Sequence, residues 1–518
     1  MTGAPSQRRS LTGARAGRSL TAARRGAVRV LRSLPAFGRR HWLLLSLLSA
    51  GAALRAVAFF AYVPALIYYD STRYLENVEQ LQPSAVRPLG YPLFLAILPI
   101  DDELAVVPFV QHLFGLLIAI VLYMLLTRLG VRLWLAALAT APVLLDAYQL
   151  NIEQYILSEA LFDLLLVTAA ALLLWRRQPG LLAAGGAGLA LAAASVTRAS
   201  ALLVIVPALL TVLFLRARPS RVLALLGCFA LPLAAYAVWF HSVHGTYAIT
   251  SYGGRFLYAR VAPFADCTKF SVPRHERVLC PKQPVGRRPT IEQFMWSNRL
   301  SPVYRLELPA GKTREQVAGR FAKRVIRHQP LAYAKRVAGD FAHSFAPTKR
   351  RRAKDLPVAR WQFQLAYPIY RRETNAVIRA HGDKRAQVRP RLARFLRTYQ
   401  RYAFVPGPLL GAALLVALVA ALGLGRARRS GLRSAAFLFA ALAVTVVLPT
   451  VAANQFTWRY QLPYLVLLGA AGALGLTALT GRTHPERSSP APEAGDRSAR
   501  RGGRHDAHIA PADEPLQR

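Results

Sequence analysis

Apolar residues fall along this chain in long unbroken blocks, not in the alternating or three-to-four spacing of half-buried elements. Ten blocks approach bilayer-crossing length: 42–63, 104–127, 131–146, 155–175, 181–196, 199–215, 222–240, 404–424, 435–451 and 462–479. A shorter block, 91–100, is too short to cross and reads as re-entrant or interfacial. The pattern predicts an all-α polytopic membrane protein of about ten transmembrane helices. It has a re-entrant or juxtamembrane first external loop and one long external loop. The expected division is a basic cytoplasmic tail (1–41), an N-terminal transmembrane domain (42–240) that includes the first external loop (64–103), and a long basic external loop (241–402). C-terminal transmembrane helices (403–480) and a disordered cytoplasmic tail (481–518) follow.

Charge orients these blocks. The short turns with Arg128/Arg132, Arg176/Arg177, Arg216/Arg218/Arg221 and Arg426/Arg428/Arg429/Arg433 alternate with turns bearing Asp146, Glu153 and Glu159. Basic short loops stay on the cytoplasmic side, so both termini are expected there. The long loop is basic yet falls outside, which carries little weight because long loops cross largely regardless of charge. The net charge of +42 fits flanks that face anionic lipid. Nucleic-acid binding is excluded as a function, since no compact basic module accompanies the charge.

Three cysteines are present, with no Cys/His spacing of a zinc site. Cys228 lies in an apolar run. Cys267 and Cys280 share the long external loop, and their spacing in an oxidising compartment predicts a disulfide.

Candidate chemistry gathers at the outer ends of the spans. Asp70 is a carboxylate brought to the membrane edge by the first apolar helix, where a purely structural loop has no need of one. It reads either as a general base toward an acceptor hydroxyl or as the N-cap of a helix over 71–82. Asp101, Asp102 and Glu103 could complete a divalent-cation site. Their competing role is to cap the second span and favour the positive end of its dipole. Glu159 and Asp163 share one face of the fourth span. Arg73, Arg87, Arg198, Arg255 and Arg459 are external cations that could hold a phosphate. Gln111 and His112 read as packed polar residues. The run Lys349-Arg350-Arg351-Arg352 reads as a solvated or headgroup-facing stretch.

The motifs occur in a recognisable order. Tyr68-Tyr69-Asp70-Ser71-Thr72-Arg73-Tyr74 is followed by Arg87-Pro88-Leu89-Gly90-Tyr91-Pro92. Leu157-Ser158-Glu159-Ala160-Leu161-Phe162 opens the fourth span, Ala194-Ser195-Val196-Thr197-Arg198 closes the fifth, and Trp458-Arg459-Tyr460-Gln461-Leu462-Pro463 opens the last. This ordered set resembles the GT-C class of membrane glycosyltransferases. The nearest types are the dolichyl-phosphate-mannose–protein mannosyltransferases and the bacterial arabinose and mannose transferases.

The resemblance implies a sugar donor on a polyprenyl phosphate, membrane-lipid contacts and an acceptor met outside the plasma membrane: an envelope glycan, a lipid or a protein. It also implies inversion at the anomeric carbon, and an external-loop acid, here Asp70, as catalytic base. Arg73, Tyr74, Arg87, Tyr91, Glu159, Arg198, Arg459 and Tyr460 are the accompanying candidates for binding substrate and donor phosphate. Relatives with two adjacent acids differ from this chain, where Ser71 follows Asp70, and that weakens the case for a metal at this motif. The residues fix no cofactor, and a divalent cation is the one the acids could accept. The alternatives are a flippase or transporter of lipid-linked sugars and a non-catalytic envelope-assembly protein.

Overall fold

The computed structural model describes residues 36–352, 355–366, 371–382 and 386–481. Most of the expected N-terminal tail (1–35) and the expected disordered tail (482–518) lie outside the described residues.

The protein is an all-α polytopic membrane protein. Each of the ten apolar blocks carries a helix, but not all are long enough to cross. Five segments are long and apolar enough among the described residues: Trp42–Ala61, Val106–Arg128, Pro219–His244, Arg433–Ala453 and Trp458–Thr480. Two bent pairs raise the number to seven if each is one span: Leu133–Leu145 with Ala147–Gln154, at 49°, and Pro390–Tyr402 with Gly407–Ala421, at 52°. Glu159–Leu174, Leu181–Thr197 and Ala199–Phe214 are shorter. The count of ten is therefore not reached by length alone.

Polar breaks account for the difference. Asp146 interrupts the third block, and its Oδ1 accepts from Tyr148 N at 2.8 Å to start the next helix. Its Oδ2 accepts from Val405 N at 2.7 Å, which ties the break to the C-terminal helices. The fourth block starts late as a helix because Tyr155 is extended and bridges Leu66.

One buried ion pair clamps the first span. Arg55 of Trp42–Ala61 and Glu153 of Ala147–Gln154 meet at 2.9 Å, and both are buried. His112 Nδ1 lies 3.0 Å from the same carboxylate, and its Nε2 lies 2.9 Å from Gln154 Oε1. Such a cluster is tolerated in an apolar interior only with its partners in place. Beyond the span, Tyr62–Val63 pairs antiparallel with Gln387–Val388.

Much of the stretch 241–402 is a packed unit with its own core. Tyr258, Phe294, Phe321 and Val325 bury against one another, on helices Gly253–Val261, Ile291–Trp296 and Arg314–His328. Cys267 and Cys280 are joined by a disulfide in this unit, with Cα atoms 6.1 Å apart. Two helices follow one another here, Arg314–His328 and Pro330–His343, because Pro330 restarts the chain.

The basic run departs from the solvated stretch expected of it. Arg350 and Arg351 are exposed, but the Lys349 ammonium lies over the rings of Tyr148 (4.6 Å), Trp458 (5.0 Å) and Phe404 (5.7 Å). Its Nζ also donates to Gln461 Oε1. Arg352 pairs with Asp340 and Asp355.

Candidate active site

The loop that follows Trp42–Ala61 runs into a helix, Tyr69–Gln80. Tyr68 is its cap residue, and the Tyr68 backbone N–H donates to Ser71 Oγ at 2.9 Å. Asp70 therefore does not cap this helix, which corrects one of the two roles open to it. Its carboxylate turns inward from the first turn and is buried. The following Tyr74 is buried too, with its ring 4.8 Å from that of Tyr91 and its hydroxyl 3.4 Å from Ser158 Oγ.

Arg87 is delivered by the turn after this helix. The short helix Gly90–Leu95 packs against the end of Leu181–Thr197, where a Cβ on Gly90 would sit 2.6 Å from Val196 O. Only a glycine allows that approach without displacement. Tyr91 then anchors the turn below, donating its hydroxyl to Gln111 Oε1 at 2.9 Å. Gln111 in turn donates to the carbonyls of Glu153 (2.9 Å) and Tyr155 (2.6 Å). Gln111 is thus a packed polar residue that supports the site from beneath.

Three separate parts of the chain supply the rest. Glu159 opens helix Glu159–Leu174, Arg198 follows Leu181–Thr197, and Arg459 lies in the turn Trp458–Gln461. Together they form an alternating row: Arg87, Asp70, Arg459, Glu159, Arg198. Arg87 Nη2 donates to Asp70 Oδ1. Arg459 Nη1 donates to Asp70 Oδ2 at 2.9 Å, while its Nε lies 2.8 Å from Glu159 Oε1. Arg198 closes the row on Glu159 Oε1, with its guanidinium 5.6 Å from the Phe162 ring and 5.8 Å from that of Tyr460. Three guanidiniums against two carboxylates leave one positive charge in excess.

Burial would raise the Asp70 pKa, but the Arg87 and Arg459 guanidiniums outweigh it and hold the carboxyl below its ordinary value. Asp70 is thus ionised at neutral pH. The hydroxyl of neighbouring Tyr68 is pushed up to about 12, chiefly by burial.

Asp70, Arg87, Arg459 and Tyr460 line an open cavity of about 820 Å³. Its far wall comes from the long stretch between the two groups of apolar helices, through Tyr252, Arg255, Trp296 and Trp361. Trp361 donates its indole N–H to Thr457 Oγ1 at 2.7 Å, next to the Arg459 turn, and the Arg459 guanidinium lies 5.3 Å from its ring. Trp361, Trp296 and Glu292 also line the cavity, and no motif in the sequence marks them. Their aromatic and acidic character is the only signal, and it is diluted in a long loop.

Several candidates stand apart from the row. Arg73 lines the cavity but is exposed and pairs with Glu76 at 2.9 Å. Arg255 pairs with Glu315 at 3.1 Å. Asp101 and Asp102 are exposed in a turn and do not line the cavity. They do not cap the second span either, since its N-cap is Ala105. Among the described residues, no three His, Cys, Asp or Glu side chains converge as a metal-binding group. Asp163 is buried, and neither of its oxygens has a hydrogen-bond partner in the structure.

Residues 104–246 match the family of dolichyl-phosphate-mannose-protein mannosyltransferases. The match bears out the resemblance to the GT-C class drawn from the motifs and, with the apolar helices, supports a multi-pass membrane glycosyltransferase. The matched stretch includes Glu159 and Arg198, whereas Asp70, Arg87 and Arg459 lie on either side of it. No curated protein and no solved structure matches the chain.

Proposed function

We propose that the protein transfers a sugar, mannose in the first instance, from a polyprenyl-phosphate donor to an acceptor hydroxyl at the outer face of the plasma membrane. Asp70 is the catalytic base. The acceptor oxygen attacks the anomeric carbon, its proton passes to Asp70, and the bond from that carbon to the phosphate oxygen breaks. The departing electron pair stays on the phosphate, and a single in-line displacement inverts the centre.

The observation that carries this reading is the row Arg87–Asp70–Arg459–Glu159–Arg198, of which Arg87, Asp70 and Arg459 line an open cavity while Glu159 and Arg198 stand behind them. Its excess positive charge suits a phosphate that gains charge as it leaves. A bound donor would draw the hydrogen bonds of Arg87 and Arg459 toward its own oxygens. Asp70 would lose part of its neutralising shell and become a better base at the moment the acceptor is in place. Glu159 keeps Arg459 and Arg198 oriented throughout. Membrane lipid contacts the apolar helices, and both termini are cytoplasmic.

The test is transfer of radiolabelled mannose from a polyprenyl-phosphate donor by the purified protein in lipid nanodiscs, wild type against Asp70→Asn. Transfer by wild type and its loss in the variant are expected. Wild-type rates from Asp70→Asn would remove Asp70 from the chemistry, and absence of any transfer by wild type would overturn the whole reading.

A further inference from the structure

The cavity is longer than the charged row needs. Beyond Arg459 it continues to a wall made by the external unit, and that wall differs in chemistry. Trp296 stands at the rim, 38 % exposed. It is not a loose side chain. Its ring stacks on Tyr252, with centroids 6.1 Å apart and planes inclined by 26°, and Phe256 meets it edge-on at 5.9 Å. Behind Tyr252 the Arg255 guanidinium sits 4.4 Å from the Tyr252 ring and 4.9 Å from that of Tyr304, and Glu315 holds it in place. An aromatic surface is thus fixed from behind and left open in front.

Hydrogen-bonding groups surround this surface. Glu292 and Asn298 come from the same unit, and Asn77 reaches the cavity from the Asp70 helix. Asn77 Nδ2 is buried and has no hydrogen-bond partner in the structure. A buried amide donor without a partner is costly unless something else supplies the acceptor.

We infer that the outer half of the cavity is an acceptor subsite for a saccharide, with Trp296 as its platform. The inference rests on the glycosyltransferase reading above and names the acceptor's chemical class. A pyranose ring has an apolar C–H face that covers an aromatic ring, and hydroxyls that donate to a carboxylate and accept from an amide. The wall offers these groups together. Of the recurring ways a peptide is held, strand addition needs a free sheet edge beside the site. The two-stranded sheet at Tyr62–Val63 and Gln387–Val388 contributes no residue to the cavity lining. The volume of about 820 Å³ is in the usual range for a ligand pocket, roughly 300–1,000 Å³.

Two measurements on the full-length protein in nanodiscs test this. The first is equilibrium binding of mannotriose and of a Ser/Thr-rich peptide, with no donor present. Mannotriose should bind saturably, Trp296→Ala should weaken it roughly tenfold, and Trp296→Phe should restore most of the loss. The second is transfer, where Trp296→Ala should raise the KM for mannotriose by a similar factor while the KM for the polyprenyl-phosphate donor stays put. Peptide binding without mannotriose binding would overturn the inference, as would mannotriose affinity unchanged in Trp296→Ala. Wild-type protein that binds mannotriose through Trp296 but transfers nothing to it would leave the subsite standing and sink the glycosyltransferase reading.

Discussion

Arg459 Nη1 donates to Asp70 Oδ2 at 2.9 Å, although 389 positions separate the two residues. The contact joins the loop after the first span to the start of the last apolar helix and so closes the site from opposite ends of the chain. Both side chains are buried, and removing Arg459 leaves two buried carboxylates short of a partner at once, Asp70 with Arg87 only and Glu159 with Arg198 only. Arg459→Met should therefore destabilise the protein by about 3–5 kcal/mol and abolish transfer. The double variant Asp70→Asn/Arg459→Met should recover part of the thermal stability but no activity. Thermal unfolding followed by size-exclusion chromatography checks this; a single variant as stable as wild type would show that the pair holds nothing.

Gly90 makes a second test, of positioning rather than charge. Its missing Cβ lets the short helix Gly90–Leu95 lie on the Val196 backbone, with an added Cβ meeting Val196 O at 2.6 Å and Thr197 N at 2.8 Å. Gly90→Ala should push this helix away and carry Arg87 and Tyr91 with it. A stability loss of about 1–3 kcal/mol and a raised KM for the donor are expected. Unchanged donor kinetics would show that Arg87 is not placed by this contact.

The site was legible in the sequence where its residues sit in short motifs beside a span. Asp70, Arg87, Glu159, Arg198 and Arg459 each border an apolar block, and an ion at such an edge stands out against its surroundings. Their pairing was not legible, since no local pattern ties position 70 to position 459. The apolar blocks gave the all-α membrane class. They did not give the crossings, because breaks such as Asp146 act only through tertiary partners like Val405 N. Lys349 was misread for the same reason. A run of four basic residues looks solvated, and only the fold brings Tyr148, Phe404 and Trp458 around the first of them.

Lys349 gives a pH prediction. Burial lowers its pKa from 10.5 to about 8, against the opposing pull of Asp146. In the unfolded chain a lysine titrates near 10.4. Between about 8 and about 10.4 the folded state holds fewer protons than the unfolded one, so this group's contribution to stability rises with pH in that window. Below about 8 both states are protonated and the contribution is flat. The difference in thermal stability between wild type and Lys349→Met should therefore shift in favour of wild type as pH is raised from 8 to 10. A difference that stays constant over that range would mean that Lys349 titrates normally.

Both termini on the cytoplasmic side require an even number of crossings. Five spans, or seven with both bent pairs, are odd, and with either number at least one of the shorter helices Glu159–Leu174, Leu181–Thr197 and Ala199–Phe214 must also cross. Arg-rich turns on one side of these helices support that arrangement. Ser10→Cys and Ser489→Cys, each made in a Cys228→Ser background, should resist a membrane-impermeant thiol reagent in intact cells and react after permeabilisation. Labelling of either from outside would reverse the topology and place Asp70 on the wrong face.

The external unit makes the remaining prediction. Its core is small, and the Cys267–Cys280 bond closes a loop across a sequence separation of 13 beside that core. In the chain-entropy model such a loop restricts the unfolded state by about 3 kcal/mol. Intact-mass measurement should show a mass lower than that of the reduced chain by two hydrogen atoms, and no alkylation at these positions without reductant. The double variant Cys267→Ser/Cys280→Ser should unfold at lower temperature. Because the same unit carries Trp296 and Arg255, this variant should also lose acceptor affinity before it loses donor affinity. Two freely alkylatable thiols in the native protein would remove the bond and count against an oxidising, extracytoplasmic location for the unit.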